Sequence, residues 1–297
     1  MMIVKPNEFT YEQCKELVSE ISGKYEFSKV SVIGRSWAGR AIFSLEIGEG
    51  DENVLFLGGI KGQELYTPLI LFKFFERLCE GYKNDTKISA VKIRNSLMTR
   101  KITIVPCLNP DSIEIASRQS FGAGCYAGLV SRAASGDYSK WNANARGVDI
   151  SHNFNFHHES IIYENLKQAM PSPYLYAGPS PESETETKAV AKLCENSLFK
   201  HAFLLRAGGE QIYWSDCKEN LSETAMMAKV LSSVSGYPLC RKAENERFGT
   251  FCEWFSNEYR RPAFEIKTGN GENPLPVENF NFIYNKIEEM LVLGGIM

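Results

Sequence analysis

The chain has 297 residues, 43% hydrophobic and 12% aromatic, enough apolar material for one large core without disulfide or metal staples. Its 33 basic and 36 acidic residues leave a formal charge of -3, which excludes broad electrostatic attraction to nucleic acid or to an anionic membrane. The opening MMIVKPNEFTYEQCKELV lacks the basic-then-apolar pattern of a signal peptide, and no apolar run approaches the roughly 18 residues of a spanning helix, so a cytoplasmic chain is expected.

The predicted elements begin with a helix over 8–21, followed by strands over 30–32, 41–47 and 53–57. A second helix is predicted over 66–80, with Pro68 in its first turn, where no backbone N–H is needed. Its Phe72, Phe74 and Phe75 read as core rather than as a binding platform. A strand over 102–106 precedes a long stretch, 111–181, poor in regular pattern and rich in Ser, Gly, Asn and Ala. Irregular stretches of that length inside a compact domain are usually functional loops, so the site is sought there. A helix over 184–196 follows, and Glu182, Glu184 and Glu186 are expected to place negative charge at its first turn. A strand over 201–205, a helix over 219–235, a strand over 263–266 and a helix over 277–293 complete the order. Such alternation puts helices on both faces of one sheet, predicting a single three-layer α/β/α domain over 1–297, with no internal repeat or linker.

The eight cysteines, Cys14, Cys79, Cys107, Cys125, Cys194, Cys217, Cys240 and Cys252, form no close pairs and are expected to be reduced. The tract His152, His157, His158 and Glu159 offers metal-ligand side chains, but imidazoles on an irregular loop are read more simply as hydrogen-bonding or surface groups. Tyr213 and Trp214, after a Gly-rich turn, suit either a pocket wall or core packing. Charges over 244–247 and at Arg260 and Arg261 read as solvated loop groups.

Ordered blocks run through nearly the whole chain: IGRSWAGR (33–40), GGIKGQE (58–64), VPCLNPD (105–111), WNANARGVD (141–149), Asn153 with Phe154, GPSPESE (178–184), GEQIYW (209–214) and GNGENPLP (269–276). Together they resemble the zinc carboxypeptidases, especially the bacterial branch of γ-D-glutamyl-diamino-acid peptidases that act on cell-wall peptides. The resemblance implies a central mixed, mostly parallel sheet. It also implies a zinc ion held by a His and a Glu from the turn after the 53–57 strand and by a second His near the end of the 201–205 strand. A further Glu, near the end of the 263–266 strand, would be the general base for the zinc-bound water.

At those positions this sequence has Lys61, Glu64, Arg206 and Lys267, so only Glu64 of the four is retained. Arg206 has no lone pair to offer a metal. Lys61 would have to lose a proton first, and lowering its pKa from about 10.4 to about 7 costs roughly 4.6 kcal/mol. Asn142 stands where the family often has a basic residue that stabilises an oxyanion, and Ser151 with His152 where it usually has the Asn-Arg pair that binds the substrate carboxylate. Asp149 matches the carboxylate that orients the first His, and is expected to form a salt bridge with Lys61.

The catalytic set is therefore read as degenerate, with no metal cofactor expected although the family uses zinc. Three readings stand open. Fixed charges fill the hole left by zinc as a structural remnant; or a basic pocket of Lys61, Glu64, Asn142, Asp149, Ser151, His152, Arg206 and Lys267 binds an anionic peptide or peptidoglycan fragment; or a rearranged site, drawing on His152, His157, His158 and Glu64 or on metal-free chemistry, keeps metallocarboxypeptidase or γ-D-glutamyl peptidase activity. A nucleic-acid or membrane partner is not expected.

Overall fold

The computed structural model describes residues 3–5, 8–164, 170–215, 219 and 221–297. In chain order its elements are α1 (Tyr11–Lys24), β1 (Lys29–Arg35), β2 (Ala41–Ile47), β3 (Glu52–Leu57), α2 (Tyr66–Asn84), β4 (Lys87–Ile88), β5 (Val91–Lys92), α3 (Ile93–Thr99), β6 (Arg100–Val105), α4 (Pro110–Arg118), α5 (Ala127–Ala134), α6 (His158–Glu164), α7 (Thr185–Asn196), β7 (Phe199–Ala207), β8 (Gln211–Trp214), α8 (Leu221–Ser235), β9 (Leu239–Cys240), α9 (Phe251–Tyr259), β10 (Ala263–Thr268) and α10 (Phe280–Ile296). Cys217 and parts of two predicted stretches, 165–169 and 220, lie outside the described residues.

Period-two alternation explains how the central strands serve two cores. In β3, Val54 and Phe56 join one cluster with Phe72, Phe74 and Phe75 of α2, whereas Leu55 and Leu57 join the opposite cluster with Val190 of α7 and Phe251 of α9. Strand β7 divides in the same way, Phe203 and Leu205 to the first face, Ala202 and Leu204 to the second. The main sheet has eight strands in the order β1-β2-β6-β3-β7-β10-β8-β9. Its middle, β6-β3-β7-β10, is parallel, while β1, β2 and β8 bring antiparallel pairings to its flanks. Helices cover both faces, giving the expected three layers around a mixed, mostly parallel sheet.

The 111–181 stretch is more regular than its composition suggests. It contains most of α4 and all of α5 and α6, and it closes a small core of its own around Trp141, Ile115, Val130 and Ala145. The start of α4 carries a readable signal: Asn109 accepts the N–H of Ser112 at 3.1 Å, with Pro110 at the first helical position. Periodicity also missed β4, β5, α3, β8, β9 and α9, all of nine residues or fewer.

The chain after β3 turns sharply at the carboxyl end of the sheet. Gly59 has φ of 60°, and a Cβ there would lie 2.8 Å from Cα of Cys107, so the close approach of the next loop requires glycine. Asn109 locks that approach, its N–H reaching the carbonyl of Gly59 at 2.8 Å and its side-chain amide that of Ile60 at 3.2 Å. The turn ends in Glu64, just ahead of α2.

Seven cysteines among the described residues are unpaired. No helix among these residues is long and apolar enough to cross a membrane. The aromatic run of α2 is wholly buried core. The acidic group does sit at the start of α7, yet Glu186 does not supply surface charge there: its side chain is buried, Oε2 accepts from Asn144 and Thr185, and Oε1 has no partner among the described residues. Burial, with Asp111 and Glu184 nearby, pushes its carboxyl up to about 8, so it is mainly a neutral acid at pH 7. Because the folded state then holds a proton that the unfolded chain releases, stability contributed by this group is full below the unfolded value near 4.5 and is lost as pH rises through about 8. Urea denaturation at a series of pH values should show that decline, and Glu186→Gln should flatten it; an unchanged slope in the variant would mean that another group is responsible.

Candidate functional site

The site forms where three adjacent parallel strands end. Arg206 on β7 and Lys267 on β10 are direct partners in the parallel register, so their side chains leave the same face, and β3 delivers the turn bearing Lys61 and Glu64. Glu265, two residues before Lys267, is paired with Leu204 and points to that face as well.

Glu64 is 3% exposed, and one edge of the Arg206 guanidinium engages both its oxygens. Arg206 Nε donates to Oε1 and Oε2 at 2.9 and 2.8 Å, and a terminal nitrogen lies 2.7 Å from Oε1. Arg206 also lies 3.8 Å from Glu265, which takes a hydrogen bond from Lys242 at 2.5 Å. Burial raises the cost of charge on Glu265, but Lys242, Arg206 and Lys267 outweigh it and hold the carboxyl at about 2. The guanidinium of Arg206 is likewise held more firmly protonated than usual, Glu64 and Glu265 overcoming burial.

Asp149 forms the second anionic centre. Its Oδ1 accepts from the hydroxyl and N–H of Ser151 at 2.6 and 3.2 Å, and Oδ2 accepts from the N–H of Leu175 at 3.1 Å. Lys61 Nζ is 3.8 Å from Oδ2, the expected ion pair but longer than a hydrogen bond. Burial opposes ionisation of Asp149, yet Lys61 and these donors bring its carboxyl to about 2. Burial and, less strongly, Arg206 make the amine of Lys61 easier to deprotonate than an ordinary lysine.

The remaining candidates take different places. Ser151 spends its hydroxyl hydrogen on Asp149. His152 bonds through Nδ1 to the carbonyl of Phe248 at 3.1 Å; a carbonyl only accepts, so Nδ1 carries the hydrogen, and burial favours the neutral ring. Asn142 accepts the N–H of Gln63 at 3.4 Å and lines the cleft beside it. Lys267 makes no ion pair among the described residues, and its ammonium lies 5.1 Å from the centre of the Tyr213 ring.

These groups line two joined clefts of about 360 and 390 Å³, which share Lys61, Leu175, Arg206 and Lys267. Among the predicted site residues, Lys61, Arg206 and Lys267 therefore meet, with Glu64, Asn142 and Asp149 on one side and Ser151 and His152 on the other. Lys242 and Glu265 were not anticipated. Glu265 had a signal, a carboxylate inside an apolar strand at the period that puts it on the Lys267 face; Lys242 had none.

The donor set does not suit a divalent metal. Lys61 and Arg206 present N–H groups, both oxygens of Glu64 are engaged by Arg206, and no group of three or more His, Cys, Asp or Glu side chains among the described residues is arranged to hold an ion. In the histidine tract, His158 bonds to the carbonyl of Ala177 and His157 packs against Phe156 and Phe248, so these rings are not gathered with His152 and Glu64 into one ligand set.

Comparison with known proteins agrees with the fold. A family model described as zinc carboxypeptidase matches residues 14–239. Gamma-D-glutamyl-L-diamino acid endopeptidase 1 of Lysinibacillus sphaericus is 26% identical over 294 residues, covering 96% of this chain and 72% of the relative. Among solved structures, carboxypeptidase A from Helicoverpa armigera aligns with a TM-score of 0.75 at 13% identity, over 97% of this chain and 73% of that one. Murein-tripeptide amidase MpaA from Escherichia coli O157 aligns with a TM-score of 0.55 at 19% identity, over 89% and 90%. With the family model spanning most of the sequence and the same sheet beneath it, the chain belongs to the zinc carboxypeptidase family.

Proposed function

We propose that this protein is a non-hydrolysing member of its family, in which a basic cleft binds an anionic peptide or cell-wall fragment. One observation carries the reading: the guanidinium of Arg206 occupies both oxygens of Glu64, the only metal ligand that the family pattern retains here. A metal would have to displace that guanidinium and then lie among Lys61, Lys242 and Lys267. Cations about 4 Å from a divalent charge add several kcal/mol of repulsion at intermediate dielectric.

Without a metal, hydrolysis has no activated nucleophile. Lys267, in the position of the general base, would face water at its bulk acidity. Binding has better support. Lys61, Arg206, Lys242 and Lys267 oppose Glu64, Asp149 and Glu265, and the volumes of the joined clefts suit small ligands. The Lysinibacillus relative, named for cleavage beside γ-D-glutamyl groups, supports an acidic peptide as the ligand class.

Three results are expected. Arg206→Met should lower stability by about 3–5 kcal/mol in urea denaturation because it leaves Glu64 charged and buried, while adding Glu64→Leu should recover much of that loss; strictly additive losses would deny the coupling. The unmodified protein should release no amino acid from γ-D-glutamyl or ordinary peptides, and chelator-sensitive turnover would refute the reading. Combined Lys61→His, Arg206→His and Lys267→Glu substitutions should restore zinc uptake, measured by metal analysis after desalting; a folded variant that takes up none would show that replacement of these groups is not what excludes the metal.

A further inference from the structure

Apart from the exposed Lys140, the cations of the cleft divide into those already satisfied and those that are not. Arg206 is committed to Glu64, and Lys242 to Glu265. Lys61 and Lys267 direct no N–H at a protein acceptor within hydrogen-bond distance among the described residues, although each ammonium has three donors. Both stand at the junction, lining the cleft on either side.

The two sides differ in character. One carries the amide side chains of Gln63 and Asn142, which can donate and accept as a peptide backbone does. The other carries Asn245, Tyr213 and the neutral His152. With Nδ1–H given to Phe248, His152 keeps an acceptor at Nε2, which has no protein partner among the described residues. A carboxylate against that lone pair would be repelled, whereas a ligand N–H would be accepted. The anion therefore belongs at the lysines rather than at the Ser151 and His152 pair.

We infer that the ligand is an extended peptide with an acidic group in mid-chain, its carboxylate held between Lys61 and Lys267 at the junction and its backbone running into both clefts. This rests on the binding reading above and adds where the charge lies along the ligand. A peptide recognised only by its terminal carboxylate would end at the lysines and leave one cleft unused.

Calorimetry with blocked pentapeptides separates the cases. The probes are acetyl-Ala-Ala-Glu-Ala-Ala-amide, the same peptide with Gln at its centre, and acetyl-Ala-Ala-Gln-Ala-Ala with a free carboxyl terminus. The Glu peptide should bind at least about tenfold more tightly than either Gln peptide. Lys267→Met, which breaks no ion pair among the described residues and so should fold normally, should remove most of that preference; the double variant with Lys61→Met should abolish it. Tight binding of only the free-terminus peptide, lost in Lys267→Met, would overturn the mid-chain assignment while leaving the binding function standing. Glu selectivity unaffected by Lys267→Met would also overturn it. No binding of any peptide would defeat both.

Discussion

A buried carboxylate needs a counter-charge, and here the counter-charge of Glu64 is a guanidinium. The contact between Arg206 and Glu64 sets the chemistry of the whole pocket because it occupies both oxygens of the retained acidic ligand with a group that cannot give up its proton. Around it the other charges fall into register: Glu265 is shared by Arg206 and Lys242, Asp149 stands opposite Lys61, and Lys267 faces Tyr213. A pair of this kind is costly to desolvate and costlier to break, so it serves better to fix the site in one arrangement than to add stability.

The fold explains why substitutions far apart in sequence act together. Parallel register sets Arg206 beside Lys267, and a glycine-dependent turn after β3 carries Lys61 and Glu64 to the same end of the sheet. The sheet thus sets where these side chains gather, and the side chains set the charge found there.

Much of this was legible in the sequence. Lys61 lies inside GGIKGQE, Arg206 closes an apolar strand, and Lys267 follows another, and the resemblance of the surrounding blocks to the zinc carboxypeptidases marks all three positions in the sequence. The core strands and the long helices were equally readable, because alternation and helical periodicity are strong where one element meets one core. The signal failed in 111–181, where α4 and α5 contribute to a small separate core rich in Ala, with Ile115, Val130 and Trp141 as its large buried members, too few and too spread to show a period. It also misjudged Glu186: position at the start of α7 suggests a solvated charge, and only the surrounding packing reveals a buried acid. Lys242 was invisible because its role depends on a loop folding back to Glu265, a contact across 23 positions with no local pattern.

The central claim is that a protein cation, not a metal, neutralises Glu64. The Arg206 Nε–H resonance, followed by NMR in an Nε-labelled protein while zinc is added, tests it directly. A signal that stays unshifted and slow to exchange with zinc in excess is the predicted result. Stoichiometric loss or displacement of that signal, matched by bound zinc, would show that a metal can take the carboxylate from the arginine and would contradict the account.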